Sequence, residues 1–280
     1  MKPRPKLRKR SFNSLMELKP CLDRINDQVE NHEYIPHDPV QFMHAFSAKR
    51  DCEIAGFYAA LMAWGRRDIV ISKVAELMGR IGYKPYNFVS DYDQSQFDVF
   101  HGFKHRTFKP IDLHAITISL KQIYRKYDDF EAFWKSCHHT ANNSERELIG
   151  IFYERFLQQH PDFSGRSLKH LSNPETGSTA KRLCMYLRWC CRQNSPVDTG
   201  IWSFLEQSEL HVPFDVHVAR QARRYGLLTR RTNDWKAVTE LTDTLRIMNP
   251  EDPSRYDFAL FGIGALDYDL PKKFLLNRVD

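Results

Sequence analysis

Apolar residues recur mostly at intervals of three and four along the chain, and strictly alternating stretches are short and scarce. That pattern predicts an all-α protein. Residues 51–64 (DCEIAGFYAALMAW) are apolar around most of a helical circumference and predict a buried helix. Gly65, Arg66 and Arg67 interrupt it, and the helical period resumes over 68–81. Another helix is predicted over 112–127, where Leu113, Ile116, Leu120, Ile123 and Tyr124 share a stripe. Ser144 and Glu147 have the spacing of a capping box ahead of Phe152 and Phe156. Residues 181–192 (KRLCMYLRWCCR) read as a helix with Leu183, Leu187 and Cys190 turned to the core. Asn233 or Asp234 caps a helix through Trp235, Val238, Leu241, Leu245 and Met248, closed by Asn249-Pro250, and a last helix covers about 254–266. Two irregular stretches, 161–180 and 194–213, flank the helix at 181. Long loops inside a compact helical body are often functional.

Composition narrows the class. Apolar residues make up 42% of 280, enough for a real core. No apolar run is long enough to span a membrane, and no apolar segment follows the basic N-terminus as in a secretory signal. The six cysteines contain no C-x-x-C pair and none lies beyond Cys191, which argues against disulfides, a zinc ribbon or a C-terminal iron–sulfur cluster. A cytoplasmic monomer with reduced thiols, no metal and no cofactor is expected. The net charge is +6 and the pI about 8.9, a mild nucleic-acid signal. Its distribution says more. Lys2, Arg4, Lys6, Arg8, Lys9 and Arg10 form a basic arm over 1–11, expected to be disordered and suited to phosphates or to solubility.

The candidate chemistry lies around Lys181 and Asp215. On a helix, Lys181, Met185, Arg188 and Arg192 fall on one stripe. A lysine in the first turn, near a positive helix end and other cations, is disfavoured as an ammonium, and a neutral amine is what a Schiff-base nucleophile needs. The plain alternative is a solvated, phosphate-contacting lysine. In VPFDVHVAR, Pro213 favours an extended approach and Asp215 is placed to cap the following helix. A carboxylate held by backbone N–H groups can stabilise a cationic sugar, or it can be only a cap. Downstream, Arg220, Arg223, Arg224, Arg230 and Arg231 crowd into twelve residues, suited to phosphates or to a solvated face.

These residues resemble the helix-hairpin-helix (HhH-GPD) DNA glycosylases, which carry a Val-Asp-x-His-Val-type sequence at the catalytic aspartate and then an Arg-rich helix ending in Gly-Leu. Here the run is PFDVHVARQARRYGLL. In that superfamily a lysine opens the second helix of the hairpin. Lys181 precedes Asp215 by 34 residues, an interval similar to that of the archaeal 8-oxoguanine DNA glycosylases. More closely, the runs EIAGFYAALMAWGRRDIV, FKHRTF, KRLCMYLRWCCR, NDWKAVTELTDTLR and DPSRYDFALFGIGAL resemble an uncharacterised bacterial family related to that branch, over roughly 38–268. Where the family hairpin reads Gly-x-Gly, this chain reads NPETGSTA over 173–180.

The resemblance implies a bilobal fold. A middle lobe over 46–197 would end in the hairpin, and a second lobe over 12–45 plus 198–280 would carry Asp215, with the active site in the cleft between them. It implies an enzyme that flips a damaged or modified base out of duplex DNA, oxidised guanine by resemblance, and excises it with Lys181 and Asp215. Abasic-site lyase activity would accompany excision through an imine on Lys181. Arg182, Arg188, His217, Arg220, Arg223 and Arg224 are expected at the DNA, and Trp64, Arg66, Arg67, His105 and Trp189 around the base, with Lys104 and Arg106 nearby. Two alternatives stand beside this reading. One is removal of a hypermodified, for example glucosylated, cytosine from phage DNA in antiviral defence. The other is a non-catalytic DNA-binding module, which would not require Lys181 or Asp215. A metal-dependent nuclease would want clustered carboxylates or His-x-x-x-His spacing, which His138-His139, His211 and His217 do not offer.

Overall fold

A computed structural model describes residues 6–144, 147–160 and 165–277. Among them the chain is all-α, with thirteen α-helices, six short 3-10 helices and no β-strand. One group of helices packs around α3 (Lys49–Met62): α2 (Gln41–His44), α4 (Arg67–Arg80), α5 (Pro85–Asp91) and α10 (Lys181–Cys191) all touch it. Next to them α6 (Pro110–Lys126) packs on α5, α7 (Phe130–Ser144) and the short α9 (Gly165–Leu168), and α7 packs on α8 (Leu148–Leu157). A second group comprises α1 (Phe12–Val29), α11 (Val216–Arg224), α12 (Trp235–Met248) and α13 (Tyr256–Ala265). Here α13 lies against both α1 and α11. Gly264 permits that approach, since a Cβ there would come within 2.9 Å of His217 Cβ.

Every residue from Cys52 to Met62 is buried, as an all-round apolar helix requires. The run includes Glu53, whose carboxylate accepts from Phe130 N and Glu131 N at 3.1 and 3.2 Å, so α3 caps the start of α7. Trp202 Nε1 and Tyr124 Oη complete the set at 2.7 and 2.9 Å. Three expectations change. Glu147, not Ser144, takes the cap position of α8, because α7 runs on through Ser144. The basic arm is docked from Arg8 onward, because Arg8 and Arg10 serve the backbone carbonyls of Tyr225, Phe274 and Leu276; Lys2 and Arg4 lie outside the described residues, as does 161–164 of the first long loop. The stripe through Arg188 and Arg192 is no basic face, because carboxylates from other segments close over it.

Arg192 is the hub of that closure. Its guanidinium meets both oxygens of Glu30, at the end of α1, then Asp198 at 3.0 Å and Asp252, ahead of α13, at 2.7 Å. The side chain is only 5% exposed. Removing one member of a buried ion cluster leaves the others charged and unpaired, at a cost of about 3–5 kcal/mol. Arg192→Ala is therefore expected to destabilise the protein by roughly that amount, read as a lower urea midpoint with little change in m-value. A midpoint within error of wild type would show that the cluster contributes nothing net.

Candidate active site

Lys181 is the first residue of α10. The turn that delivers it is built from Gly177 at φ +88° and from Ala180 at φ +46°, ψ +28°. A left-handed alanine costs roughly 1–2 kcal/mol, and Ala180 is fully buried, so packing holds the chain in this turn. The effect is to aim a half-buried lysine from the helix start. Its Nζ makes no hydrogen bond or ion pair among the described residues.

Asp215 arrives from the other group of helices. It caps α11 in extended conformation, as the Pro213 approach predicts, and its Oδ1 accepts from His217 N at 2.8 Å and Val218 N at 2.9 Å. Oδ2 accepts nothing among the described residues, which leaves one carboxylate oxygen for other work. His217 is fixed behind it by Nδ1 on Gly264 O at 2.9 Å.

Both side chains line one cleft of about 920 Å³. Its lining also contains groups that sequence reasoning missed: Tyr34, Asp38, Asp257 and Phe261. Arg67 spans them, stacked 4.2 Å from the Phe261 ring centre and 5.0 Å from that of Tyr34, with Asp38 at 3.1 Å and the Tyr34 hydroxyl accepting from Nη2. Asp257 is paired with Arg188, which also meets Asp198 at 3.2 Å and stacks on Phe258. Burial raises the Asp257 carboxyl, and Asp215 adds to the rise against the pull of Arg188 and Lys181. The balance leaves it pushed up to about 6. The cleft thus offers an unpaired lysine, a half-used carboxylate, a second carboxyl raised well above the usual carboxylate range, and aromatic faces.

Several residues expected at this site lie elsewhere. Arg188 does line the cleft, but it is 3% exposed and committed to two aspartates, so it cannot serve a phosphate at the surface. Arg223 is also buried; its guanidinium serves Arg230 O at 2.7 Å and Asn233 Oδ1 at 2.7 Å, pinning the turn after α11. Arg230 is paired with Asp234. Trp189 is fully buried on the core side of α10, and His105 is buried with Nε2 on Met62 O at 3.0 Å, so neither is a wall of the cleft. Arg66 is exposed and paired with Asp68. Lys104 and Arg106 are exposed, and Arg106 stacks 4.5 Å from Trp64. Besides Arg188, the cleft keeps Trp64, Arg67, Arg182 and His217 from the expected set. Arg182 is already held by Leu61 O at 2.6 Å and Lys169 O at 3.2 Å, and burial lowers its pKa to about 10. Arg220 is exposed and Arg224 half-buried.

The six cysteines are free. No group of three or more metal-ligating side chains occurs among the described residues. No described helix is long and apolar enough to cross a membrane.

A family model described as a protein of unknown function, DUF2400, matches residues 38–266, and the chain belongs to that family. No curated protein and no solved structure matches the chain.

Proposed function

We propose that this member of the DUF2400 family is a DNA glycosylase with abasic-site lyase activity, acting with Lys181 and Asp215 on a base flipped out of duplex DNA. The observation that carries the reading is the meeting of these two residues, from helix starts in different groups of helices, in one cleft with aromatic walls. In this reading the two groups are the lobes of a helix-hairpin-helix glycosylase and the turn before Lys181 is its hairpin. The base enters toward Tyr34, Arg67 and Phe261, where ring faces favour stacking. Asp215 faces the sugar and stabilises positive charge as the glycosidic bond breaks. The base leaves with the bonding pair and takes up a proton, while the Lys181 amine adds to C1′. The remaining amine proton passes to O4′ as the C1′–O4′ bond breaks, which opens the sugar ring and gives an imine. β-Elimination of the 3′-phosphate cuts the strand, and water hydrolyses the imine to free the lysine.

The test is a panel of duplex oligonucleotides carrying oxidised, alkylated, deaminated or glucosylated bases, scored for abasic sites. Oxidised guanine is the proposed substrate. Release of a glucosylated cytosine instead would move the protein to defence against modified phage DNA. No release from any duplex would overturn the glycosylase reading.

A pH dependence follows from Asp257. Below about 6 its carboxyl is neutral; above, it adds a negative charge beside Asp215 and Lys181. Negative charge favours a cationic transition state, so single-turnover base release is expected to rise as the pH increases through about 6. Asp257→Asn should erase that inflection. A profile that keeps it in the variant would assign the titration to another group.

A further inference from the structure

Over much of the body, cations stand against carboxylates: Arg80, Arg188, Arg192, Arg230 and Arg246 each have one. The seam between the first and last described segments differs. Arg8 N donates to Asn277 Oδ1, and Asn277 Nδ2 donates back to Arg8 O, both at 2.9 Å. Arg8 Nη2 reaches Leu276 O at 3.0 Å, and Arg10 donates to Tyr225 O and Ser14 Oγ, each at 2.6 Å, and to Phe274 O. Leu276 N and Asn277 N both donate to Arg224 O, at 3.1 and 3.0 Å, and Asn277 Nδ2 to Arg223 O at 2.8 Å. The two segments therefore close over the carbonyl end of α11 and satisfy its orphan acceptors. Gly226, at φ +70°, makes the closure possible, because a Cβ there would lie 2.4 Å from Leu276 and 3.1 Å from Arg8 O.

The closure gathers Lys6, Arg8, Lys9, Arg224, Lys272 and Lys273. All but the half-buried Arg224 are exposed, and none forms an ion pair among the described residues. Acids stand near the seam too: Glu17 is felt by Arg10 and Asp269 by Tyr225. Six cations on one surface, none held in an ion pair, set up a positive field that attracts an anion of many charges. The spacing from the cleft fits a duplex. α11 begins at Asp215 in the cleft and ends at the seam, nine residues on, or about 13 Å. That is about four base-pair steps at 3.4 Å.

We propose that this seam is a phosphate-binding surface that grips duplex DNA beyond the nucleotide held in the cleft. The proposal rests on the reading of that cleft as a base-excision site. The seam is bipartite: neither segment alone presents the set, and their mutual hydrogen bonds hold both in place.

The test uses the full chain and an undamaged duplex, comparing wild type with a variant carrying Lys6→Gln, Lys9→Gln, Lys272→Gln and Lys273→Gln. These four exposed side chains take no part in the hydrogen bonds that close the seam. Each lost contact should flatten the slope of log affinity against log salt by about 0.9, so four contacts shrink the affinity lost between 50 and 200 mM salt by roughly 10². Melting temperature should hold. An unchanged slope and affinity would overturn the seam, and base excision by the same protein would show that the glycosylase reading survives without it. Flattened slopes in a protein that excises nothing would keep the seam and sink the excision reading. Wild type that binds anionic phospholipid vesicles and no duplex would overturn the DNA proposal in favour of a lipid surface.

Discussion

Asp215→Asn is expected to lower single-turnover base release by on the order of 10²–10³ or more, by analogy with other preorganised electrostatic groups. The fold should survive, since asparagine is as good an N-cap as aspartate and the Oδ1 position that accepts from His217 N and Val218 N is kept. What disappears is the charge on the oxygen that no described group uses. DNA affinity should hold or rise slightly, because a negative charge near phosphates has been removed. Base release, binding and melting measured on the same protein separate these effects. Normal base release with a normal melting point would reduce Asp215 to a helix cap.

Lys181→Gln is expected to abolish borohydride trapping of the protein on substrate DNA and to bring strand cleavage down to background. Stability should change little: Lys181 is half-buried, its Nζ holds nothing in place, and glutamine is nearly as good a helix former. Two outcomes are informative. Loss of cleavage with base release retained would show that water can attack C1′ and that the lyase step is separable. Trapping at the wild-type level would mean that another amine forms the imine.

The all-α class and most of the long helices were legible because their signals are local. Periodicity located α3, α4, α6, α10, α12 and α13 to within a few residues, and the cap at Asp215 needs only its own sequence neighbours. α7 went unread although Phe130, Phe133, Trp134, Cys137 and Ala141 form a core stripe, because a polar run over 135–144 dilutes it. The roles of the arginines were not legible. Whether Arg188 faces phosphate or carboxylate depends on Asp257, 69 residues away, and Arg192 depends on Glu30, 162 residues away. Arg223 shows the same limit at short range, since its partners are carbonyls of a turn whose shape is set by packing. One signal was available and unused. Asp257 is the only charged residue in α13, and Phe261 follows one turn later on the same face. A lone carboxylate in an apolar helix needs a partner or a function, and here it lines the cleft. Tyr34 and Asp38, in the turns between α1 and α2, gave no such sign.

In the proposed reaction Lys181 carries the chemistry. Its most direct test is to reduce wild-type protein with borohydride on each duplex of the damaged-base panel, digest the adduct, and map the modified peptide by mass spectrometry. A sugar remnant is expected on Lys181, formed with a duplex from which base is also released and absent from Lys181→Gln. A remnant on a different lysine, or no adduct with any duplex that loses its base, would contradict it.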